Sequence, residues 1–274
     1  MKITFWGARG SLASAGPETV RYGGNTACVE VRSDDGQLLI LDAGTGIRRL
    51  GATIDGAERI DILLSHLHLD HIQGLGFFTP LFQTEGDVHL WGPPSPQGDL
   101  RSRLSRYLSP PLFPVRLKEL GSRVILHDAP IDPVTIGSFE ITSDPIIHPG
   151  ATVGYRIAAD GRSIAYLPDH EPALGVDGFP GAAEWTSGYA LARGVDLVIH
   201  DAQYSRAEYE ARVGWGHSSL DHAIAFAELA EVAILAPFHH DPAHSDADLD
   251  ATYADLPERS VRVIPAQEGA TLEI

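Results

Sequence analysis

The stretch that most constrains this chain is Ser-His-Leu-His-Leu-Asp-His at positions 65–71, which follows the apolar run 60–64. The apolar run is typical of a buried β-strand, so three imidazoles and one carboxylate are expected close together at its end. Buried without an ion, these groups would crowd one another and leave polar atoms unpaired, whereas a divalent cation satisfies them together. Nitrogen and oxygen donors of this kind suit zinc or manganese better than calcium or magnesium. The stretch therefore predicts a metal site.

The pattern of this stretch, His-x-His-x-Asp-His after a buried strand, resembles the signature of the metallo-β-lactamase superfamily. The resemblance implies an α/β (α+β) fold, a four-layer αββα sandwich with two metal ions at one edge of its sheets. The motif is specific for the superfamily but does not identify a substrate. Other parts of the chain have to indicate which bond is cleaved.

Composition bounds the size and the compartment. With 274 residues, 43% of them hydrophobic, the chain can bury the core of one large sandwich. No linker, charge block or low-complexity tract divides it, so we expect a single domain over residues 1–274. The N-terminus enters a strand pattern directly, and no apolar run approaches the length of a membrane span. The lone Cys28 cannot form an intramolecular disulfide, and the expected compartment is therefore the cytoplasm.

The formal net charge of −17 bears on the partners. Binding along a phosphate backbone relies on clustered lysines and arginines, and this chain has 20 of them against 37 acidic residues. We therefore expect no long nucleic acid and no membrane as partner. A local basic patch can still receive a small anion.

Three more candidate ligands follow strand patterns downstream of the first cluster. His148 ends the pattern 139–147, Asp169 ends the pattern 162–168, and His239 follows the pattern 232–238. The resemblance implies two ions, zinc or alternatively manganese, in two sites. Site one then comprises His66, His68 and His148, site two comprises Asp70, His71 and His239, and Asp169 bridges them. The neighbours His170 and His240 stay open as alternatives or near neighbours.

Two further carboxylates have expected supporting roles. Asp42 ends the strand pattern 37–42 and either caps the following turn or, under the resemblance, hydrogen-bonds a metal ligand. Asp201 follows another strand pattern, and His217 lies in Gly-Trp-Gly-His-Ser-Ser. This pair resembles the ribonuclease Z and cyclic-nucleotide phosphodiesterase branch, with Asp201 in place of Glu and Ser219 in place of Thr. A histidine oriented by a carboxylate can hold a phosphate or give a proton to a leaving oxygen, although His217 could also simply begin a helix.

Residues 95–118 allow two interpretations. Leucines at helical spacing across 100–108 predict a helix, and a stiff Pro-rich loop follows it. The simpler interpretation is a solvated helix and a surface loop. The alternative is a flap over the substrate, with Tyr107 or Phe113 as a stacking platform and an arginine for phosphate. The candidate arginines are Arg101, Arg103 and Arg106.

Five stretches, 5–11, 22–26, 200–204, 214–218 and 238–242, look like bacterial proteins related to cyclic-nucleotide phosphodiesterases. Under the resemblance, two divalent ions outweigh Asp70, Asp169 and a hydroxide, so the centre attracts an anionic phosphodiester. The basic arm by which ribonuclease Z grips tRNA has no counterpart in this sequence. The first hypothesis is therefore hydrolysis of a 3′,5′-cyclic nucleotide or a similarly small phosphodiester, with Asp70, Asp201 and His217 in catalysis.

Other functions stay open. Hydrolysis of a lactone, thioester or β-lactam carbonyl is compatible with Asp169, although the Asp201 and His217 pair favours phosphorus. A ribonuclease Z-like RNA phosphodiesterase is a further alternative. A metal-based sensor or dioxygen-binding protein is the least favoured, because the ligand sets are intact. Related enzymes are commonly homodimers, so a homodimer is expected.

Overall fold

The computed structural model describes residues 1–83, 86–176, 178–254 and 256–274, which form two seven-stranded sheets. The first sheet contains, in spatial order, β14 (Thr271–Glu273), β1 (Lys2–Gly7), β2 (Cys28–Arg32), β3 (Leu38–Leu41), β4 (Arg59–Leu63), β5 (Asp87–Gly92) and β6 (Arg123–Asp128). The second contains β13 (Arg262–Val263), β12 (Ile234–Phe238), β11 (Leu197–Asp201), β10 (Arg162–Leu167), β9 (Val153–Ala159), β8 (Phe139–Pro145) and β7 (Val134–Ile136).

Short helices cover the outer faces of both sheets. The α-helices are α1 (Ile47–Gly51), α2 (Leu69–Ile72), α3 (Leu100–Leu104), α4 (Tyr189–Ala192), α5 (Arg206–Glu210), α6 (Leu220–Leu229) and α7 (Asp246–Ala254). Single 3₁₀ turns occur at Pro17–Thr19, Gln73–Phe77, Thr79–Phe82, Leu117–Glu119 and Ala183–Trp185. None of the helices in the described ranges is long and apolar enough to cross a membrane.

Three apolar layers hold the sheets and helices together. In β3, Leu39 and Leu41 pack between the two sheets, whereas Ile40 points to the helices outside the first sheet. This alternation follows from the period of two in a strand, and both faces are apolar because both are covered. A third layer packs β10, β11 and β12 against α4 and α6. The arrangement confirms the predicted αββα sandwich.

The candidate residues meet at one edge because the strands that carry them run in the same direction. β3 and β4 are parallel in the first sheet, and β10, β11 and β12 are parallel in the second. Each carries polar residues at or just after its carboxyl end, where ligand sites of parallel sheets form. β8 is antiparallel to β9, which is antiparallel to β10, so β8 delivers its following residues to the same edge.

Two predicted helices are shorter than expected. The sequence after the first cluster favours one helix over 72–82, but the chain forms α2 and two 3₁₀ turns there, because glycines allow a close backbone approach that a regular helix would not make. A Cβ on Gly74 would lie 2.0 Å from Gly44 O, and Pro80 is the second residue of the turn Thr79–Phe82. The helix predicted over 100–108 is regular only in α3 and continues as irregular turns.

Asp246 and Asp248 have the sequence context of a solvated acidic surface, but for Asp246 that expectation is wrong. Its side chain is buried at the start of α7, where it accepts hydrogen bonds from the backbone N–H groups of Arg21 and Tyr22. Asp248, in contrast, is exposed and accepts from Ser245. One of the two carboxylates therefore holds the N-terminal region against α7.

Candidate metal centre

The structure gathers all seven predicted ligands at the shared edge of the two sheets. The ligands form two sets, and within each set all donor atoms lie within 4.8 Å of one another. The first set is His66, His68, His148 and Asp169, and the second is Asp70, His71, Asp169 and His239. Asp169 belongs to both sets, which is where a bridging ligand has to lie. The grouping matches the expected sites, and the ligand roles themselves stay a prediction.

The turn from β4 into α2 delivers four of these side chains. His68 has an extended backbone and occupies the N-cap of α2, so Asp70 and His71 fall in the first turn of the helix. His66 lies in the segment between the strand and that cap and is buried. Leu69, between the ligands, is exposed because it points away from the cluster. The short helix therefore separates the donors of site one from those of site two.

Unpartnered polar atoms inside the cluster fit a cation. His66 Nε2 and Asp169 Oδ1 are buried without a hydrogen-bond partner, and Asp169 Oδ1, although 3.0 Å from His71 Nε2, is not aligned for a hydrogen bond with it. His148 Nε2 faces His68 Nδ1 at 3.1 Å, and His71 Nε2 faces His239 Nε2 at 3.3 Å. Ring nitrogens that face one another in a buried site need a shared proton or a metal ion.

Burial and charge give the two sets different protonation states. Burial lowers the pKa of His66 and His68, and it lowers that of His148 to about 4, so the site-one imidazoles are neutral as metal binding requires. Burial also opposes charge on His71, but Asp169, Asp70 and Asp42 raise its pKa well above the usual value. An imidazolium at His71 thus supplies the positive charge that a metal ion would bring.

The pKa values of the two carboxylate ligands, Asp70 and Asp169, are shifted downwards by the neighbouring imidazoles. Burial favours their neutral forms, yet His71 and His239 hold the pKa of Asp70 well below its usual range. His239, His71 and His66 do the same for Asp169. Both carboxylates are therefore ionised and can act as anionic ligands.

Hydrogen bonds from behind orient the ligand imidazoles. Asp42 Oδ2 accepts from His71 Nδ1 at 2.8 Å, and the same carboxylate accepts from Ser65 N at 2.7 Å and from Tyr166 Oη at 2.8 Å. Asp42 has a left-handed backbone with φ of 57°, which is strained for a non-glycine residue. Asp42 therefore hydrogen-bonds a candidate metal ligand, which was the second of its two expected roles. This bond leaves His71 Nε2 facing the cluster.

Sequence reasoning missed several of these supporting residues. Gln203 Oε1 accepts from His239 Nδ1 at 2.9 Å, and the Ser11 backbone N–H donates to Asp70 Oδ2 at 2.8 Å. Arg9 is fully buried and donates to the carbonyl oxygens of Asp241 and His244, which tie the N-terminal loop to the segment after His239. The stretches 5–11 and 200–204 were recognisable as family-like, but no sequence pattern indicated what they contact.

Asp201 and His217 form the predicted pair beside the second donor set. His217 Nδ1 donates to Asp201 Oδ2 at 2.6 Å, and the His217 ring stacks on His239 with centroids 4.9 Å apart. Asp201 Oδ1 accepts from the backbone N–H of Ser218 at 2.9 Å. Burial would lower the pKa of His217, but Asp201, followed by Asp169 and Asp70, raises it to about 9. Divalent cations nearby would oppose this shift by like charge.

Several other histidines lie outside the two donor sets. His170 hydrogen-bonds His200 at 3.0 Å and Ser187 at 3.1 Å, so it is a buried structural neighbour of Asp169. His240 Nε2 donates to Ala266 O at 2.9 Å, which favours His239 as the ligand of that pair. His89 bonds His127 on the first sheet, as expected of a structural residue.

A cleft of about 360 Å³ opens beside the first donor set. One wall comes from α3 and the turns after it, and the opposite wall comes from the loop after His148. The lining residues include His66, His68, Leu69, Arg103, Arg106, Tyr107, Leu112, Pro149 and Ala151. The cleft therefore supports the interpretation of residues 95–118 as a substrate wall over that of a purely solvated surface.

Within this wall the candidate side chains differ. Arg103 Nε donates to Gly98 O at 3.0 Å, so its guanidinium is held by the backbone. Arg106 is exposed and has no hydrogen bond or ion pair with the described residues, and Arg101 does not line the cleft. Phe113 as a stacking platform is wrong, because it is 8% exposed and packs against Phe77. Burial under α2 and the 3₁₀ turns makes it a core residue.

Comparisons with known proteins agree with this arrangement. Residues 38–240 match the family model of the Beta-lactamase superfamily domain. Ribonuclease Z of Haloarcula marismortui is 27% identical over 215 residues, 76% of this chain and 61% of that protein, so the match spans less than two thirds of the relative. Ribonuclease Z of Brevibacillus brevis is 25% identical over 321 aligned positions, 98% of this chain and 94% of that protein.

Solved structures are similar over the whole chain. The short form of human tRNase Z has a TM-score of 0.70 at 20% identity, covering 100% of this chain and 99% of that one. A diphosphatase from the PhnP family has a TM-score of 0.71 at 21% identity, covering 100% and 97%. At these identities the likeness demonstrates a common fold.

The expectation that no long nucleic acid is a partner is wrong. Relatives that align over as much as 98% of the chain are ribonucleases by name. The net charge misled because it is a sum over the whole molecule, whereas nucleic-acid binding depends on the local field. At the cleft that field comes from Arg103, Arg106 and any cations in the two donor sets. The expected homodimer, single domain and cytoplasmic location are untested and stay predictions.

Proposed function

This chain belongs to the metallo-β-lactamase superfamily, in the branch that includes ribonuclease Z, and on that premise we propose that it is a dinuclear metal-dependent phosphodiesterase. The observation that carries the proposal is the pair of donor sets that share Asp169, with His217 and Asp201 directly beside them. Neither feature alone separates phosphodiesters from other substrates. Together they support a cation site next to a histidine whose pKa a carboxylate raises.

The residues fit two divalent ions, with zinc as the first choice and manganese as the alternative. One ion would be held by His66, His68 and His148, the other by Asp70, His71 and His239, and both by Asp169. When bound, such ions lower the pKa of a water molecule and stabilise negative charge on a phosphate oxygen. Asp70 is kept in place for this by the Ser11 N–H.

His217 would supply the proton that the leaving oxygen needs. Because its Nδ1 donates to Asp201, Nε2 is the nitrogen that can meet the substrate. Asp201 raises the pKa of this imidazole and so favours its protonated form, in which it can act as a general acid or stabilise an oxyanion. Such a group assists phosphodiester cleavage because the alkoxide that departs is a poor leaving group.

The cleft favours a small substrate such as a 3′,5′-cyclic nucleotide. Its volume of about 360 Å³ is at the low end of small-molecule sites. Leu69, Leu112 and Pro149 offer apolar surface for a nucleobase, and Arg106 offers a cation for a phosphate oxygen. A nucleotide seated there would have its phosphodiester next to His66 and His68.

An RNA phosphodiester is the second candidate. The observation that favours it is the sequence similarity to ribonuclease Z of Brevibacillus brevis across 98% of the chain. The end of an RNA chain could place one nucleotide in the same cleft, so the chemistry of the centre does not separate the two substrates. Carbonyl hydrolysis has no comparable support, since Asp169 is compatible with it but does not favour it.

The test is a substrate panel with the zinc- or manganese-loaded protein: cyclic AMP, cyclic GMP, bis-p-nitrophenyl phosphate, a precursor tRNA, an acyl-homoserine lactone and nitrocefin. We expect phosphodiester turnover that His217→Ala and Asp169→Ala abolish. His89→Ala is the control, because the His89 side chain hydrogen-bonds His127 on the first sheet and belongs to neither donor set. Faster turnover of cyclic nucleotides than of the tRNA would favour the first candidate, and the reverse would favour the second. Turnover of only the carbonyl substrates, unchanged in His217→Ala, would overturn the proposal.

A further inference from the structure

Glu171 is a fully buried carboxylate two residues after the candidate bridging ligand. Its Oε1 accepts from Gly214 N at 2.8 Å and from Tyr209 Oη at 3.1 Å, and its Oε2 accepts from Gly216 N at 2.7 Å. All three donors are neutral. A buried carboxylate is costly, and these hydrogen bonds offset the cost. The carboxylate therefore holds the 214–216 loop in one position.

This loop in turn holds a candidate metal ligand. His148 Nδ1 donates to Gly216 O at 2.8 Å. Gly216 has a φ of 90°, and a Cβ there would lie 2.4 Å from His148 Nδ1 and 2.2 Å from Pro149 Cδ. The loop thus packs tightly against the His148 imidazole. A shift of Gly216 O therefore has to move the His148 ring or break its hydrogen bond with Nδ1.

Glu171 also holds the chain on the other side of the same ligand. Its backbone N–H donates to Ile147 O at 2.9 Å, immediately before His148. The side chain therefore fixes the group that His148 Nδ1 bonds, while the main chain fixes the residue from which His148 projects. One residue connects the end of β10 with both supports of the imidazole.

We propose that Glu171 is a positioning residue for the first metal site: through Gly216 O and Ile147 O it keeps His148 with Nδ1 protonated and Nε2 directed at the donor set. The inference rests on the proposed function only in taking His148 as a metal ligand. A proton on Nδ1, held by a carbonyl, leaves the Nε2 lone pair free for a cation. Partners of this kind commonly change metal affinity by about 10- to 100-fold when they are lost.

Glu171→Gln is the informative substitution because it preserves shape and removes one acceptor. A carboxylate presents two acceptor oxygens, whereas the amide has one oxygen and one NH₂ group. In either amide orientation Gly214 N–H or Gly216 N–H faces another donor. Tyr209→Phe is the matched control, because it removes a donor to the same carboxylate and leaves both glycine contacts.

The experiment measures stepwise zinc affinity by chelator competition and records the imidazole ¹⁵N–¹H signals of the metal-free protein. For Glu171→Gln we expect one of the two zinc dissociation constants to rise about 10- to 100-fold, with the other within about threefold of the wild type. The His148 Nδ1–H signal should be present in the wild type and in Tyr209→Phe, and lost or exchange-broadened in Glu171→Gln. Unchanged zinc affinities and an unchanged His148 signal in a folded Glu171→Gln protein would overturn the proposal.

Two further outcomes are informative: a Glu171→Gln protein that does not fold, and a wild type that binds no zinc. If Glu171→Gln does not fold, Glu171→Asp carries the test, because the shorter side chain keeps its charge but cannot reach both glycine N–H groups. We expect the same selective loss of zinc affinity, and wild-type affinity in that variant would contradict the proposal. If the wild type binds no zinc, the proposed function fails, whereas a His148 signal that depends on Glu171 would still support the positioning role.

Discussion

Asp201 is the residue on which the proposed proton transfer depends. Its carboxylate lies 2.6 Å from His217 Nδ1 and is the main favourable cause of the raised pKa of that imidazole. Asp201→Asn keeps the size of the side chain but removes the charge. The pKa of His217 should therefore fall, and the proton donor should be lost at a lower pH.

We expect Asp201→Asn to lower kcat for a phosphodiester by about 10²- to 10⁴-fold and to move the alkaline limb of the kcat profile to lower pH. The measurement is kcat against pH, with metal content determined in parallel. Asp248→Asn is the control, because Asp248 is exposed in the first turn of α7 and its side chain hydrogen-bonds only Ser245, in the preceding turn, among the described residues. An unchanged alkaline limb and kcat in Asp201→Asn would remove His217 as the general acid.

The burial of His200 predicts that the free energy of unfolding depends on pH. Burial lowers its pKa in the folded protein to about 4, against about 6.5 in an unfolded chain. Between those values the unfolded state binds a proton that the folded state does not, so the free energy of unfolding falls as pH falls from 6.5 to 4. Above pH 6.5 this histidine has no effect on the slope.

We expect the metal-free wild type to lose up to about 1.4 kcal/mol of stability per pH unit from His200 in that window. His200→Gln cannot titrate, so its free energy of unfolding should fall less steeply between pH 6.5 and 4 even if it is less stable throughout. Urea unfolding at several pH values with chelator present measures the difference. Equal slopes in the two proteins would contradict the assigned protonation.

At the scale of elements, the N-terminal loop 7–11 packs against two members of the second donor set, Asp70 and His239. A Cβ on Gly10 would lie 2.4 Å from His239 Nδ1. We expect Gly10→Ala to push His239 out of place and to weaken binding of one metal ion by about 10-fold or more, measured by chelator competition. In Gly181→Ala the new Cβ meets no atom within 4 Å, so metal affinity should stay at the wild-type value. Equal affinities in both variants would show that the loop tolerates displacement.

Because α3 and the turns after it line the cleft, a substitution on this segment is expected to change substrate binding and to leave the chemical step unchanged. Arg106 lines the cleft, whereas Arg101 on the same segment does not. If Arg106 contacts a phosphate oxygen in both ground state and transition state, Arg106→Gln should raise KM several-fold with kcat nearly unchanged. Steady-state kinetics with a phosphodiester checks this, with Arg101→Gln as the matched control. A fall in kcat without a change in KM would contradict a binding role.

Elements were predictable where a periodic pattern determines them and less so where tertiary contacts do. The apolar run before position 65 predicted β4 because a covered strand has to be apolar on both faces. The helix expected over 72–82 failed because Gly74 packs directly on the Gly44 carbonyl, a contact between segments 30 residues apart. Local propensity carries no information about that contact.

At the scale of the whole molecule, the candidate ligands could be predicted because parallel strands end at one edge. His66, His148, Asp169 and His239 all follow strand patterns, so one fold-level expectation placed them together. Supporting residues other than Asp42 and Asp201 could not be predicted in this way. Gln203, Arg9 and Glu171 act through contacts with distant backbone or side-chain atoms, and each would read in sequence as an ordinary polar residue.

The central claim is that two donor sets sharing Asp169 hold two metal ions. Anomalous diffraction from zinc-soaked crystals, recorded above and below the zinc absorption edge, tests it most directly. The account predicts two anomalous peaks, one about 2.0–2.3 Å from donor atoms of His66, His68 and His148 and one equally close to Asp70, His71 and His239, with Asp169 bonded to both. A single peak, or two peaks of which one lies away from Asp169, would contradict the dinuclear centre.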